Sequence, residues 1–429
     1  MIEKFLQRMR AQLPDFDAYE ACLQQAPQRA IRANTLKITA NELIKILPFS
    51  VNGRVAWENN GMYIQEEKPG KCLYHDAGLF YVQEPSAMCA APLLQVRPGE
   101  RVLDLCAAPG GKSTQLAQAM CGEGVLVLNE KVPDRARILL QNVERMGVRN
   151  AVVTCADPEQ LAQRFGGYFD KILVDAPCSG EGMLRKESEA AKQWSEENVE
   201  MCAARQKKIL QSAALMLAPG GLLVYSTCTF SEEEDERNAE WFSSEFPEFK
   251  LLEQRKIYPH RERGEGHFAV LFQKQDGERV RLRPQKIFAE KKALSAYRAF
   301  EKEFLKHPQE GGFVSFGDKL SLIPEIGISL DGLKVLRAGL LLGEYKGNRF
   351  EPSHALALGT AREELLNILN VSDEDAARYI RGEELNLESD LRGWCTVAYN
   401  GYPLGLGKIA NAVKNHYPKG LRRNFLEAD

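Results

Sequence analysis

The chain has 429 residues, 44% of them apolar and 27% charged, with a formal net charge of -3 and an isoelectric point of about 6.2. This is the composition of a soluble globular protein of several domains, too apolar for a disordered chain. No apolar run approaches the roughly 18 residues of a membrane span, and the overall charge taken alone argues against a nucleic-acid partner.

Residues 1 to about 80 mix short apolar segments with loops (IRANTLKI, GMYIQ, GLFYVQ) and predict a small α/β unit. The opening MIEKFLQRMR lacks the apolar stretch of a secretory signal, so a cytoplasmic location is expected. Pro85 and Ser86 open a short helix that the Arg97-Pro98-Gly99 turn stops. Strand and helix signals then alternate to about residue 275. Buried strands are predicted at 101–105, 124–129, 151–155, 171–176 and 221–227, with helices at 113–120, 133–146 and roughly 198–217 between them. Such alternation means βαβ units and a doubly wound α/β domain on a parallel sheet. The acidic run SEEEDERNAE from Ser231 is expected to start a further helix, as a charge cluster at its N-terminus rather than part of a site. HFAVLFQK from His267 reads as a late strand, with an antiparallel setting open.

Beyond a linker near 276–290 the charge segregates. Residues 251–300 hold 12 Lys and Arg against 6 Asp and Glu, whereas 361–390 hold 3 against 9. Residues 401–423 carry Lys408, Lys414, Lys419, Arg422 and Arg423 and no acid. The near-neutral total is therefore a sum of acidic and basic regions, and it does not exclude RNA. Tyr402, His416 and Tyr417 among the terminal basic residues suit phosphate contact combined with base stacking. The 10 cysteines form no Cys-x-x-Cys pair and the 6 histidines are scattered. Neither a metal site nor a disulfide framework is expected.

Residues 103–114 read LDLCAAPGGKST, a buried strand running through a small-residue turn into a helix. Small residues let backbone amides approach a ligand, and a helix N-terminus favours anionic groups. As a phosphate-binding loop, Gly111-Lys112-Ser113 fits the end of the pattern. Cys106 stands where the first glycine belongs, however, and Pro109 removes an amide donor. As a cofactor turn at the carboxyl edge of the sheet, the segment gains support from Glu130, placed for a ribose diol, and from Asp157 at the next strand end. On the same edge, Asp175 opens DAPCSGEG with Cys178, and Cys228 lies in STCT after the strand ending in Tyr225. A thiol, an acid and an adenosyl cofactor together suit methylation at carbon 5 of cytosine. That carbon becomes nucleophilic only after a thiolate adds at carbon 6. Lys112, Arg185 and Lys186 are candidates for the electropositive surroundings of the thiol.

These segments together, IRANTLKI, QEPSAM, LDLCAAPGGKS, LNE, CADP, DAPCSGEGMLRKE and YSTCTF, resemble the RNA:(cytosine-5) methyltransferases of the Sun type, in their RsmF-like branch. They span about residues 30–230 in matching order, and the tail from Arg392 to Arg423 resembles that branch's RNA-binding module. The resemblance implies a Rossmann-like methyltransferase domain (86–275) and an N-terminal RNA-binding α/β unit (1–85). It also implies two C-terminal α+β RNA-binding domains, at 285–350 and, PUA-like, at 370–429. It implies S-adenosylmethionine as cofactor, held by Cys106, Ala107, Ala108, Pro109, Gly110, Gly111, Lys112, Glu130, Asp157 and Asp175. Cys228 is the implied nucleophile, Cys178 assists product release, Asp175 also meets the base, and Lys186 completes the catalytic set. The family's usual Arg-Lys-Asp-Pro departs here to Arg185-Lys186-Glu187-Ser188. DNA cytosine-5 methyltransferases attack with the Pro-Cys thiol instead, here Cys178, and the residues alone do not choose. The expected partner is ribosomal RNA or the small ribosomal subunit, bound by a monomer with no membrane association. The alternatives are a P-loop nucleotide hydrolase acting on RNA, the same methyl chemistry on transfer RNA, and a non-catalytic RNA-binding module.

Overall fold

The computed structural model describes residues 2–185, 194–280, 288–347 and 349–423. Its centre is an eight-stranded sheet in the order Phe249–Ile257, His267–Lys274, Leu217–Thr227, Phe169–Asp175, Arg101–Asp104, Val125–Asn129, Ala151–Thr154, Val335–Ala338. The five predicted buried strands are the five that run parallel. Valine, isoleucine and leucine fill both their faces, as a sheet covered on both sides requires. Helices Gly111–Met120, Pro133–Arg145 and Glu196–Met216 lie within a few residues of their predicted positions. The strand from His267 is antiparallel. Two edge strands were not read from the sequence. Phe249–Ile257 pairs outside His267–Lys274, and Val335–Ala338 arrives from the C-terminal half to pair antiparallel with Ala151–Thr154.

The N-terminal unit is a four-stranded antiparallel sheet, Val51–Val55, Glu58–Ile64, Arg29–Ala33 and Phe80–Val82 in spatial order, preceded by helices Ile2–Gln12 and Phe16–Cys22. The segment RANTLK fastens it to the central domain. Arg32, 0% exposed, donates to Thr114 Oγ1 at 2.7 Å and Gln118 Oε1 at 3.3 Å, on the helix after the glycine-rich turn, and to Gln83 Oε1. Asn34 Nδ2 donates to the carbonyls of Gly78 (2.7 Å) and Met146 (2.8 Å). Gly78 has φ +70, and a Cβ there would fall 1.9 Å from the Arg145 carbonyl oxygen, so only glycine permits this approach.

Helix Lys291–Phe304 packs with a sheet of Gly312–Phe316, Lys319–Ile323, Leu340–Lys346 and Arg349–Pro352. The last sheet runs Ile368–Val371, Gly393–Tyr399, Tyr402–Ile409, Val413–Asn415 and carries helix Asp373–Arg381. This last module shares one apolar core with the N-terminal unit, through Tyr74 against Tyr399 and Tyr402. Tyr417, expected to stack on RNA, is 6% exposed and wedged between His354 and Tyr379. Its neighbour His416 packs on Trp394, Tyr402 lies under Arg362, and Arg423 is paired with Asp76. The sequence pattern placed these aromatic rings on the surface. The apolar side of a short sheet claims Tyr417 instead.

Among the described residues no helix is long and apolar enough to cross a membrane, and no group of metal-ligating side chains is assembled. Replacing Arg32 by alanine leaves Gln83, Thr114 and Gln118 without their donor and opens a buried void. Arg32→Ala is expected to lower the unfolding free energy by about 2–4 kcal/mol in a denaturant titration, and a loss below about 0.5 kcal/mol would show that this link is not structural.

Candidate functional site

At the carboxyl edge of the parallel strands a cleft of about 760 Å³ is lined by Asp104, Cys106 to Pro109, Gly111, Lys112, Asp175, Cys178 and Cys228, with Gln83 and Glu84 of the N-terminal side and His267. A second lobe of about 570 Å³ contains Glu130 and Asp157. The lobes share Cys106, Arg135, Pro177 and Arg205. Every predicted site residue with described coordinates except Gly110 and Arg185 lines one lobe or the other. Gly110 lies behind the turn as the helix N-cap, with φ +114. Lys186 lies outside the described residues.

The turn is fixed from behind. Ala107 N donates to Asn129 O (2.8 Å), Arg135 Nη2 to Ala108 O (2.9 Å) and Asn142 Nδ2 to Pro109 O (2.9 Å). Asn129 itself links three strand ends, donating to Leu105 O and Ala156 O and accepting from Thr154 Oγ1. Asp104 closes its strand beneath the turn. Its Oδ2 accepts from Ser113 Oγ at 2.7 Å, while its buried Oδ1 has no partner. Burial pushes this carboxyl up to about 7. An orphaned acceptor in a ligand cleft fits the amino group of an amino-acid-bearing cofactor. Glu130 Oε1 accepts from Val132 N at 2.9 Å and Oε2 lies 3.4 Å from Arg135. Asp157 caps helix Pro158–Phe165 and pairs with Lys131, which, ahead of the opposing effect of burial, holds its carboxyl low.

Asp175 is the centre of the larger lobe. Its Oδ2 accepts from Lys112 Nζ and its Oδ1 from Ser226 Oγ, each at 2.8 Å, and His267 Nε2 lies 3.9 Å from Oδ1. Burial pushes the Asp175 carboxyl up, but Lys112, His267 and Ser226 outweigh it and hold the group below its ordinary value. Burial pulls Lys112 down in turn, and Asp175 raises it further than that. Lys112 is thus an interior ion-pair partner, 8% exposed, and not the free phosphate-binding ammonium that a nucleotide-hydrolysing loop needs. Beside the pair, Cys178 Sγ lies 3.3 Å from Cys228 Sγ and accepts from Cys228 N at 3.4 Å. The Cys228 sulfur, and then burial, push the Cys178 thiol well up, so Cys178 keeps its proton.

Three expectations change. Arg185 contributes nothing to the thiol's surroundings, because its guanidinium grips the buried Glu265 (2.7 Å) and reaches Cys22 O on the N-terminal side. The acidic run after Ser231 is only partly a solvated helix start. Glu234 and Asp235 turn inward and are fully buried, holding Ser179 N and Thr227 Oγ1, the backbone and side chain next to the two cysteines. His267 was read only as the start of a strand, yet it is 1% exposed and faces Asp175, and burial followed by Lys112 pushes its imidazole down to about 3. Its position at the start of the strand that pairs with Leu217–Thr227 was the available signal. Asp104 was likewise visible, inside the quoted motif and unused.

Asp104 gives a test by linkage. The folded carboxyl holds its proton up to about pH 7, whereas the ordinary group ionises near 3.8. Its contribution to stability is therefore present at low pH and lost as pH rises through this window. Without cofactor, Asp104→Asn should gain stability over the parent as pH rises from about 4 to about 7. Parallel stability curves would remove the burial argument.

Comparison with known proteins agrees with this architecture. Family models described as 16S rRNA methyltransferase RsmB/F, the N-terminal domain of 16S rRNA methyltransferase RsmF, the RsmF first C-terminal domain and the RsmF PUA domain match residues 91–273, 1–85, 299–359 and 366–423. Ribosomal RNA small subunit methyltransferase F of Vibrio vulnificus is 32% identical over 98% of both chains, and that of Shewanella oneidensis 32% identical over 97% of this chain and 96% of its own. A methyltransferase homologue from Pyrococcus horikoshii, 30% identical, superposes with a TM-score of 0.55 over 61% of this chain and 91% of its own. NSun6 of the same organism, solved with the S-adenosylmethionine analogue SFG, shares the fold at 22% identity, with a TM-score of 0.56 over 61% of this chain and 95% of its own. The chain belongs to the RsmB/F family of 16S rRNA methyltransferases, and its cofactor is S-adenosylmethionine.

Proposed function

We propose that this protein methylates carbon 5 of cytosines in small-subunit ribosomal RNA through a covalent adduct on Cys228. The observation that carries the reading is the pair of sulfurs 3.3 Å apart, in the same cleft as Asp175 and the cofactor turn. Methylation of an amino group needs no thiol. A carbon that must first be activated by addition does.

Cys228 is the attacking sulfur in this reading, as the resemblance of the Thr227-Cys228-Thr229 segment to the family implies, with Cys178 in contact beside it. The thiolate adds to carbon 6 and the displaced electron pair makes carbon 5 nucleophilic, while Asp175 holds the amidine edge of the ring. S-adenosylmethionine supplies the electrophilic methyl group. The carbon 5 proton then passes to water, its electron pair restores the ring double bond, and the bond from sulfur to carbon 6 breaks. The Cys178 thiol, one sulfur contact away, donates a hydrogen bond to the departing Cys228 thiolate. Cys106 to Lys112, Glu130, Asp157 and Asp175 hold the cofactor, joined by Asp104 through its free Oδ1. The target cytosine must leave its stack to enter the cleft.

Relatives named for the small ribosomal subunit support ribosomal rather than transfer RNA. The chain is divided into units at 1–85, 86–275, 285–350 and 370–429. It works as a cytoplasmic monomer on ribosomal RNA or the assembled subunit, and Lys186 is a further member of the catalytic set.

Bisulfite mapping of small-subunit ribosomal RNA from cells with and without the gene should show one or more cytosines that lose protection. An unchanged map sinks the substrate. In purified protein, Cys228→Ala is expected to reduce methyl transfer by at least about 1,000-fold, and turnover near the parental rate would reassign the nucleophile. Cys178→Ala is expected to trap a protein–RNA adduct that survives a denaturing gel. No trapped species would remove Cys178 from the release step.

A further inference from the structure

The loop that carries Cys178 follows strand Phe169–Asp175 and passes through Gly180 at φ +75. Its two ends are tied to the Cys228 strand, Ala176 N donating to Ser226 O and Gly182 N to Cys228 O, each at 2.9 Å. Between those ends, the residues on either side of Cys178 are held from the acidic run beyond the other cysteine. Glu234, fully buried, accepts at Oε2 from Ser179 N (3.0 Å) and from Gln206 Nε2 (2.7 Å). Gln206 Nε2 also donates to Pro177 O at 3.1 Å, and its Oε1 accepts from Tyr225 OH at 2.9 Å and Asn238 Nδ2 at 2.9 Å. Tyr225 OH reaches the Glu234 carbonyl as well. Both neighbours of Cys178, Pro177 and Ser179, are therefore held by one buried carboxylate and its amide partner. Ser179 Oγ and Thr229 Oγ1, 2.8 Å apart, then join this loop to the residue after Cys228. Without the carboxylate, the Ser179 N–H loses its partner in a buried place, at a cost of about 1–3 kcal/mol that favours movement of the loop.

We propose that Glu234 is the positioning residue for Cys178: it holds that thiol against Cys228 and thereby sets the rate of product release, leaving cofactor binding and the first attack largely untouched. The inference rests on the two-thiol reading above. Release needs a donor within hydrogen-bond reach of the departing sulfur, and sulfur contacts weaken steeply when a loop shifts by an ångström. Attack by Cys228 depends instead on strand Leu217–Thr227, whose register is set by the sheet.

The test compares Glu234→Ala, Glu234→Gln and Cys178→Ala on small-subunit ribosomal RNA and on subunits from a strain lacking the gene. Glu234→Ala is expected to bind S-adenosylmethionine with parental affinity and to transfer the first methyl group within about threefold of the parent. Multiple turnover should fall at least about tenfold, with a covalent adduct accumulating as in Cys178→Ala. Glu234→Gln keeps a carbonyl oxygen for Ser179 N and Gln206, so turnover should recover to within about threefold and the adduct should disappear. Adduct in Cys178→Ala with none in Glu234→Ala, at undiminished turnover, overturns the proposal. No adduct in Cys178→Ala instead overturns the two-thiol reading on which it stands. If Glu234→Ala fails to bind the cofactor, Glu234→Gln decides alone: slow turnover without adduct, at parental cofactor affinity, overturns it.

Discussion

The ion pair between Lys112 and Asp175 joins the parts of the site that come from different strands. Lys112 belongs to the helix after the cofactor turn, Asp175 to the strand that leads into the Cys178 loop. Ser226, on the other oxygen of Asp175, sits two residues before Cys228. Lys112 is the buried member of the pair, while the Asp175 side chain is 32% exposed to the cleft, and removing the carboxylate alone would strand a buried cation, far more damaging than never having built the pair. Once Lys112 is committed to Asp175, the turn cannot shift without moving that carboxylate. The cofactor lobe and the thiol lobe are mechanically one object.

The neutral His267 belongs to the same balance. A charged imidazole would add a second cation to a pocket already holding Lys112, and both burial and Lys112 oppose it. At the floor of the cleft Lys112 and Asp175 stay in contact, with Asp104 beneath the turn pushed toward its neutral form, while Glu84, Arg135 and Arg205 line its walls.

The parallel strands were legible because burial on both faces leaves a continuous aliphatic run, and because the turns between strand and helix carry glycine and proline. The edge strands were not. Phe249–Ile257 is exposed along most of its length and reads as KLLEQRK, which no run of β-branched residues marks. Val335–Ala338 owes its place to pairing with residues more than 180 positions away. Within the site, motif order and strand ends located the turn, Asp175 and both cysteines. Glu234 and Asp235 escaped because an acidic run looks the same whether its side chains point to water or inward. The decisive quantity, burial, is set by Tyr225, Gln206 and Lys256 from other elements. Tyr417 failed for the reciprocal reason, an aromatic ring among lysines that the sheet of its own module buries.

Order along the chain and order in space differ in a way that bears on how RNA is presented. The last module packs on the N-terminal unit, Tyr74 against Tyr399 and Tyr402, over a separation of more than 320 residues. The N-terminal unit in turn contributes Tyr81, Gln83 and Glu84 to the cleft and is fastened to the cofactor helix by Arg32. On the other side, helices Ile2–Gln12 and Phe16–Cys22 brace Trp194 and Phe230, the latter two residues beyond Cys228. An RNA held by the terminal module is therefore referred to the thiols through packed cores and buried hydrogen bonds, with no linker in the path. A linker sets only a range of distances, whereas close packing fixes one. Methylating defined positions in a large folded ribosomal RNA requires the second.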